Sequence, residues 1–340
     1  MAEISGGTAP PIQLFGVDSS PYTVKMRAVL RYRRIPYVWR CCFPQFEPVL
    51  ADLAPKLMPV MRYPDGEARI DSTPMILELE DKFPDTRSVR PDDPVLDFFS
   101  LIIEDMADEF LTKFLFRYRF DKAGDRQFAS KWVMDDTFPA LSDAELADKA
   151  ATFLDRQTSR QGVVGVTEAN WPNIDKAFHR LLQALSPMVA RDVFLFGTRP
   201  SLGDFGLFGQ FYTLTADPTP STLIRAHAPR IEYWVRRLDD ASGIEGAWQA
   251  DPAPSEAVLR LLRIAGDTYL PLLAENAKAA AEGRENYTAY VEGGALTQMT
   301  FRYHVKCLDA LRTAFANLDE DDRNRAETIL RDTGCLPFLL

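Results

Sequence analysis

The sequence predicts an α+β N-terminal domain followed by an all-helical bundle with a helical C-terminal extension. Three observations carry that expectation. Residues 12–82 alternate short runs rich in β-branched and aromatic residues with helix starts, in the order β-α-β, hairpin, helix. Residues 84–94, Pro-Asp-Thr-Arg-Ser-Val-Arg-Pro-Asp-Asp-Pro, are rich in proline and charge and poor in apolar side chains, as an interdomain linker is. From Val95 onward apolar residues recur at three- and four-residue steps, the period of a helix face. The expected bounds are 11–84 for the first domain, 85–94 for the linker, 95–250 for the helical domain and 251–340 for the extension.

Each element has a local cause. Ile12-Gln13-Leu14-Phe15 reads as a strand. Ser19-Ser20-Pro21 starts a helix, because serine caps and proline lacks only an N–H that the first turn leaves unpaired. Tyr37-Val38-Trp39 gives a second strand, parallel to the first because a helix crosses between them. Residues 44–57 are proline-rich and read as a loop with a short helix. Val60-Met61-Arg62-Tyr63 and Ala68-Arg69-Ile70 flank Asp65-Gly66, a hairpin signal. Asp71-Ser72 then precede Pro74 and a helix through Lys82. Phe98, Leu101, Ile102, Met106, Phe110, Leu111, Phe114 and Leu115 mark one long amphipathic helix. Further helices are expected over 125–136, 142–158, 171–190, 204–214 and 223–240. Past the break Asp251-Pro252-Ala253-Pro254, the extension reads as a helix over 255–281, a loop across Gly283 to Gly294, and a helix over 298–318. Asp319–Asp322 form a solvated loop with helix caps, and Leu336 to Leu340 dock as a short apolar end.

Composition narrows the function classes. Of 340 residues, 46% are hydrophobic and 26% charged, which is globular rather than disordered. Lys plus Arg count 39 against 49 Asp plus Glu, a net charge of −10, which excludes a polyanion such as nucleic acid as the main ligand. Arg31-Tyr32-Arg33-Arg34 and Arg117-Tyr118-Arg119 therefore read as solvated faces. The four cysteines form no CxxC pair and the three histidines are scattered, so no metal site is expected and Cys41-Cys42 read as buried, inert thiols. His304 reads as structural. No secretory signal and no apolar run of about 18 residues is present. The expectation is a cytoplasmic protein with no membrane partner.

The chemistry gathers at helix starts. Asp18-Ser19-Ser20-Pro21-Tyr22-Thr23 joins the first strand to the first helix, where unpaired N–H groups stabilise a thiolate. Ser20 can add a hydrogen bond but carries no thiol, so the thiolate would belong to a ligand; a plain helix cap is the other reading. Ser72, at the start of its helix, can hold a carboxylate with its hydroxyl and N–H, and Asp71 can pair with an ammonium group. A simple serine cap is again the alternative. Ser201 and Asp204 have the spacing of a capping box and read as structural.

Ser20-Pro21-Tyr22-Thr23 resembles the Cys-Pro-Tyr-Cys of glutaredoxins with both sulfurs replaced by hydroxyls, which rules out disulfide exchange. The longer run Ser20 to Leu30 resembles the first helix of glutathione transferases, and is similar to the omega and zeta classes. Pro55-Lys56-Leu57-Met58-Pro59-Val60 resembles that family's loop into a cis-proline and third strand. Asp71 to Leu79 resembles its acidic-Ser motif, and Phe194 to Phe205 its buried capping box. The four matches keep the family's order across residues 12–240. The resemblance implies a thioredoxin-like first domain, with glutathione as co-substrate and no metal. It assigns catalysis to Ser20 and glutathione contacts to Ser19, Tyr22, Lys56, Met58, Pro59, Asp71 and Ser72. Met58-Pro59 would be cis, turning the Met58 backbone to the peptide-like ligand. An apolar small-molecule electrophile would sit against Met106, Phe110 and Phe114, whose other reading is core packing. A homodimer is compatible. Ala54 stands where the family usually has Asn, and 252–340 match nothing in it. Two other functions fit these residues: a non-catalytic scaffold or binding protein of the same fold, and a glutathione-dependent isomerase.

Overall fold

The computed structural model describes residues 11–55, 57–187 and 194–340. Strands β1 (Ile12–Phe15), β2 (Tyr37–Arg40), β3 (Val60–Arg62) and β4 (Ala68–Ile70) form one sheet in the order β2-β1-β3-β4. β1 and β2 run parallel, with Leu14 opposite Trp39; β1–β3 and β3–β4 run antiparallel, with Leu14 opposite Met61 and Met61 opposite Arg69. Helix α1 (Pro21–Tyr32) makes the parallel crossover and α2 (Ser72–Lys82) follows the hairpin. This is the α+β domain that the β-α-β, hairpin, helix pattern predicts, with the thioredoxin-like topology that the resemblance implies. Cys41 and Cys42 after β2 are half-buried, and burial pushes their thiols up to about 11 and about 12.

The helical domain departs from the expected pattern in two places. The long helix is two: α3 (Pro94–Glu109) and α4 (Thr112–Arg119). The N–H groups of Phe110 and Leu111 both reach Met106 C=O, at 2.9 and 3.3 Å, and Lys113 N–H falls back to Phe110 C=O. Phe110 and Leu111 at this junction are both fully buried. After α5 (Ala123–Thr137), α6 (Asp143–Thr158), α7 (Trp171–Leu185) and α8 (Leu202–Ala216), the expected helix over 223–240 is also two, α9 (Pro218–His227) and α10 (Arg230–Asp239). Pro229 at the junction has no N–H to carry the ladder across. Ser201 and Asp204 form the expected capping box at the start of α8, with burial raising the Asp204 carboxyl to about 7.

The extension is not wholly helical. The predicted loop across Gly283 to Gly294 is largely an antiparallel hairpin, β5 (Asn286–Val291) and β6 (Gly294–Met299). Its two-residue turn has Glu292 at φ 53° and Gly293 at φ 81°, the left-handed pair that matches strand twist. Tyr287, Ala289, Val291 and Leu296 point inward and Thr288 and Tyr290 outward, so the pattern is a strand's. The expected helix over 255–281 is α11 (Glu256–Ile264) and α12 (Leu270–Ala281), joined by a π turn at Ala265–Tyr269. Helices α13 (Arg302–Ala316) and α14 (Glu320–Asp332) follow. In the last turn, Leu336 and Leu339 are buried while Leu340 is exposed. Val258, Leu261, Leu262, Tyr269, Leu308 and Leu311 share one core with α3, and Phe315 stacks on Phe98 at 5.6 Å. Among the described residues no helix is long and apolar enough to cross a membrane, and no group of three or more His, Cys, Asp or Glu could hold a metal ion.

Candidate functional site

The start of α1 places Ser20 as its N-cap, at φ −98° and ψ 122°, with the hydroxyl accepting from Thr23 N–H at 3.4 Å. Ser20 is 6% exposed. One residue before the cap, Ser19 donates its N–H to Asp136 Oδ2 at 2.9 Å, and its C=O accepts from Arg119 at 3.0 Å. Arg119 is itself buried against Asp217 at 2.7 Å. The helical domain thus grips the loop that delivers Ser20. Burial raises the Asp136 carboxyl above the ordinary range. Across the loop, Met58-Pro59 is cis, as expected, and Ala54-Pro55 is cis as well. Val17 N–H donates to Met58 Sδ at 3.4 Å, which ties the Met58 turn to the loop three residues ahead of Ser20. Tyr22 sends its hydroxyl to Asp108 C=O at 2.9 Å, and burial with Glu109 and Asp108 nearby pushes its pKa far up. Tyr22 is therefore a donor here and no base.

At the start of α2, Asp71 has φ 75° and ψ 114°, a strained conformation for a residue with a side chain. Ser72 is 4% exposed, and its hydroxyl is already committed. It accepts from Lys25 Nζ at 3.2 Å and donates to Asp108 Oδ2 at 3.2 Å. Lys25, fully buried on α1, also pairs with Glu104 and, at 2.6 Å, with Asp108. Burial opposes the Lys25 charge, but Asp108 and Glu104 overcome it and hold the ammonium protonated. Thr73 donates to Glu104 at 2.6 Å. Asp71 accepts from the hydroxyl of Tyr303, on α13 of the extension, at 2.6 Å. Lys56 lies outside the described residues.

Residues 14–87 match the family described as glutathione S-transferase, N-terminal domain. The match is confined to the first domain. The chain has a thioredoxin-like domain ahead of a helical one. Among solved structures, it is similar to a glutathione transferase, GSTFuA2, from Phanerochaete chrysosporium (18% identity, 69% of this chain and 100% of that one, TM-score 0.48). It is also similar to rice GST1 in complex with glutathione (16%, 70% and 92%, TM-score 0.45). A third is the beta-etherase LigF from Sphingobium sp. strain SYK-6 (17%, 68% and 95%, TM-score 0.44). No curated protein matches the sequence.

The residues expected to line an electrophile pocket are core. Met106 and Phe110 are 0% exposed and Phe114 is 1%, with Phe114 packed between Phe110 and Phe178. A cavity of about 210 Å³ opens instead beside Tyr22, walled by Glu109, Lys113, Phe301, Tyr303 and His304. Lys113 donates to Val164 C=O at 2.7 Å and to the Gln298 side chain, and burial lowers its pKa to about 7. Burial, with Asp71 and Glu104 nearby, raises Glu109 to about 7. His304 Nε2 lies 3.1 Å from Glu109 Oε2, and burial together with Lys113 lowers its pKa to about 3, so the imidazole is neutral.

Sequence reasoning missed Lys25, Glu104, Asp108, Asp136 and Tyr303. One signal was available: Glu104 and Asp108 stand one helical turn apart inside an apolar segment, and Lys25 sits between Val24 and Met26. Buried charges of opposite sign on two helices imply a pair.

Proposed function

We propose that the protein binds glutathione and activates its thiol for attack on an electrophilic, largely apolar small molecule. The observation that supports this is Ser20 at the N-cap of α1, in a loop whose Val17 N–H reaches Met58 Sδ of the cis Met58-Pro59 turn at 3.4 Å. A thiolate seated at Ser20 would gain the hydroxyl and the positive end of α1, and the Met58 backbone would pair with the peptide. Asp71 and Ser72 would receive the γ-glutamyl group once Tyr303 gives way. The reading includes a cytoplasmic protein, which four free cysteines support, and leaves dimer formation to light scattering. The test is calorimetric titration with glutathione followed by conjugation of 1-chloro-2,4-dinitrobenzene. Ser20→Ala is expected to lower kcat by about 10²–10³-fold, the cost of one lost donor to a developing anion, with glutathione affinity little changed. Full activity in Ser20→Ala, with loss in Ser19→Ala or Tyr22→Phe, moves the role to that neighbour. No binding at millimolar glutathione refutes the proposal.

A second reading is a non-catalytic binding protein that retains the fold. It is favoured by the Tyr303–Asp71 bond and by the commitment of Ser72 to Lys25 and Asp108, which cover the γ-glutamyl subsite. Binding of glutathione without conjugation of any electrophile would select it.

A further inference from the structure

The extension does not close fully on the core. Between α13 on one side and α2 with α3 on the other lies a cleft of about 920 Å³. Helix α13 turns Leu308, Leu311 and Phe315 inward, while Ala310 and Ala314, one turn apart, face the cleft. Opposite them, Leu77 and Leu101 are half-buried apolar side chains that the extension covers incompletely. From Tyr303 to Leu318 the trough follows about 22 Å of helix.

Its two ends differ in charge. At the far end Arg90 is neutralised by Asp97 at 2.5 Å. At the near end stand Asp71 and Asp105, each accepting from a tyrosine hydroxyl: Tyr303 at 2.6 Å and Tyr269 at 2.7 Å. Among the described residues neither carboxylate has a basic partner. Besides Asp97, Asp309 adds a further carboxylate at the cleft, and Lys306 is the one base there besides Arg90 among the described residues. Burial, with Glu104, Glu109 and Asp108 around it, pushes the Asp105 carboxyl well above the ordinary range, as happens where carboxylates outnumber cations. A roomy apolar trough with a few convergent polar groups at one end is the form of a small-molecule site.

We propose that this cleft binds an elongated apolar molecule bearing one protonated amine, with the amine at Asp105 and Asp71 and the hydrocarbon along Leu77, Leu101, Ala310 and Ala314. The site stands apart from Ser20 and does not require glutathione. It shares only Asp71 with the γ-glutamyl subsite, so amine and glutathione would compete there.

The test is calorimetric titration of the full chain, free of glutathione, with decylammonium, decanoate and decanol in parallel, each below its micelle concentration. Decylammonium is expected to bind one site at least tenfold more tightly than decanoate or decanol. Ala314→Trp, which fills the trough from a half-buried position, should abolish binding without lowering the melting temperature. Asp105→Asn should weaken decylammonium about tenfold and leave decanol unchanged. Decanoate binding as tightly as decylammonium would place the head group at Lys306 and overturn the proposal. Equal affinity for decanol, binding that survives Ala314→Trp, or no binding at all would overturn it too.

Discussion

The two helix starts of the first domain look alike in sequence and differ in the fold. Both α1 and α2 open with a serine and a proline within the first turn. At α1 the Ser20 hydroxyl caps its own helix, and the groups that grip the loop hold Ser19 instead. At α2 the Ser72 hydroxyl is drawn inward to Lys25 and Asp108, and the extension covers Asp71. A serine at a helix start keeps its hydroxyl for its own helix only where the interior behind it makes no demand on it. Behind Ser72 lie a buried ammonium and two buried carboxylates, which use every donor within reach.

That contrast can be broken in graded steps. The largest is to end the chain before Pro252. The α2 start then loses Tyr303, and Leu261, Leu262, Tyr269 and Leu308 no longer fill the shared core. Insoluble protein, or a melting temperature lowered by well over ten degrees, is expected by scanning calorimetry. A soluble truncated chain with an unchanged melting temperature would show that α2 needs no cover.

Next is Lys25→Met, which strands Glu104 and Asp108 without their cation. Urea unfolding should show a loss of about 3–5 kcal/mol. Ser20→Ala, which removes only a cap, should cost about 1 kcal/mol. If the two cost the same, the difference between the helix starts is wrong. Tyr303→Phe is a smaller step. It should cost about 1 kcal/mol of stability and free Asp71, so glutathione should bind severalfold tighter; weaker binding would mean that Tyr303 belongs to the glutathione site. The smallest effect is a pH dependence. Glu109, raised to about 7 from its ordinary 4.5, keeps its proton in the folded state over a range in which the unfolded chain has lost it, so stability falls as pH rises through that range. Its contribution is complete below about pH 4.5, declines as pH rises through about 7, and is constant above. Thermal melts of Glu109→Gln should therefore lose less stability than the parent between pH 4.5 and 7.

What the sequence conveyed was short-range. Asp65-Gly66 set the hairpin, Ser20-Pro21 the start of α1, and Ser201 with Asp204 the start of α8, because each cause lies within a few residues of its effect. The site's electrostatics lay out of reach for the converse reason. Lys25 finds Glu104 and Asp108 at separations of 79 and 83 residues, and Ser19 finds Asp136 at 117. Met106, Phe110 and Phe114 show the limit of periodicity: it identifies a buried face and not whether that face meets a ligand or Phe178. The β5–β6 hairpin has a legible strand pattern between loop-like ends. Its alternating Tyr287, Ala289 and Val291 run as a strand, while the glycines on either side read as a loop.

Gly209, on α8, meets the first turn of α1. A Cβ placed there would lie 2.5 Å from Pro21 C=O and 3.1 Å from the Lys25 side chain. The backbone that presents Ser20 is therefore seated directly on a helix of the other domain, with no side chain between them. Residues 11–84 include every residue assigned to glutathione here, yet the anvil against which their leading helix is set lies more than a hundred residues downstream. Transplanted alone onto another scaffold, that segment would carry the inscription without the surface it was pressed against.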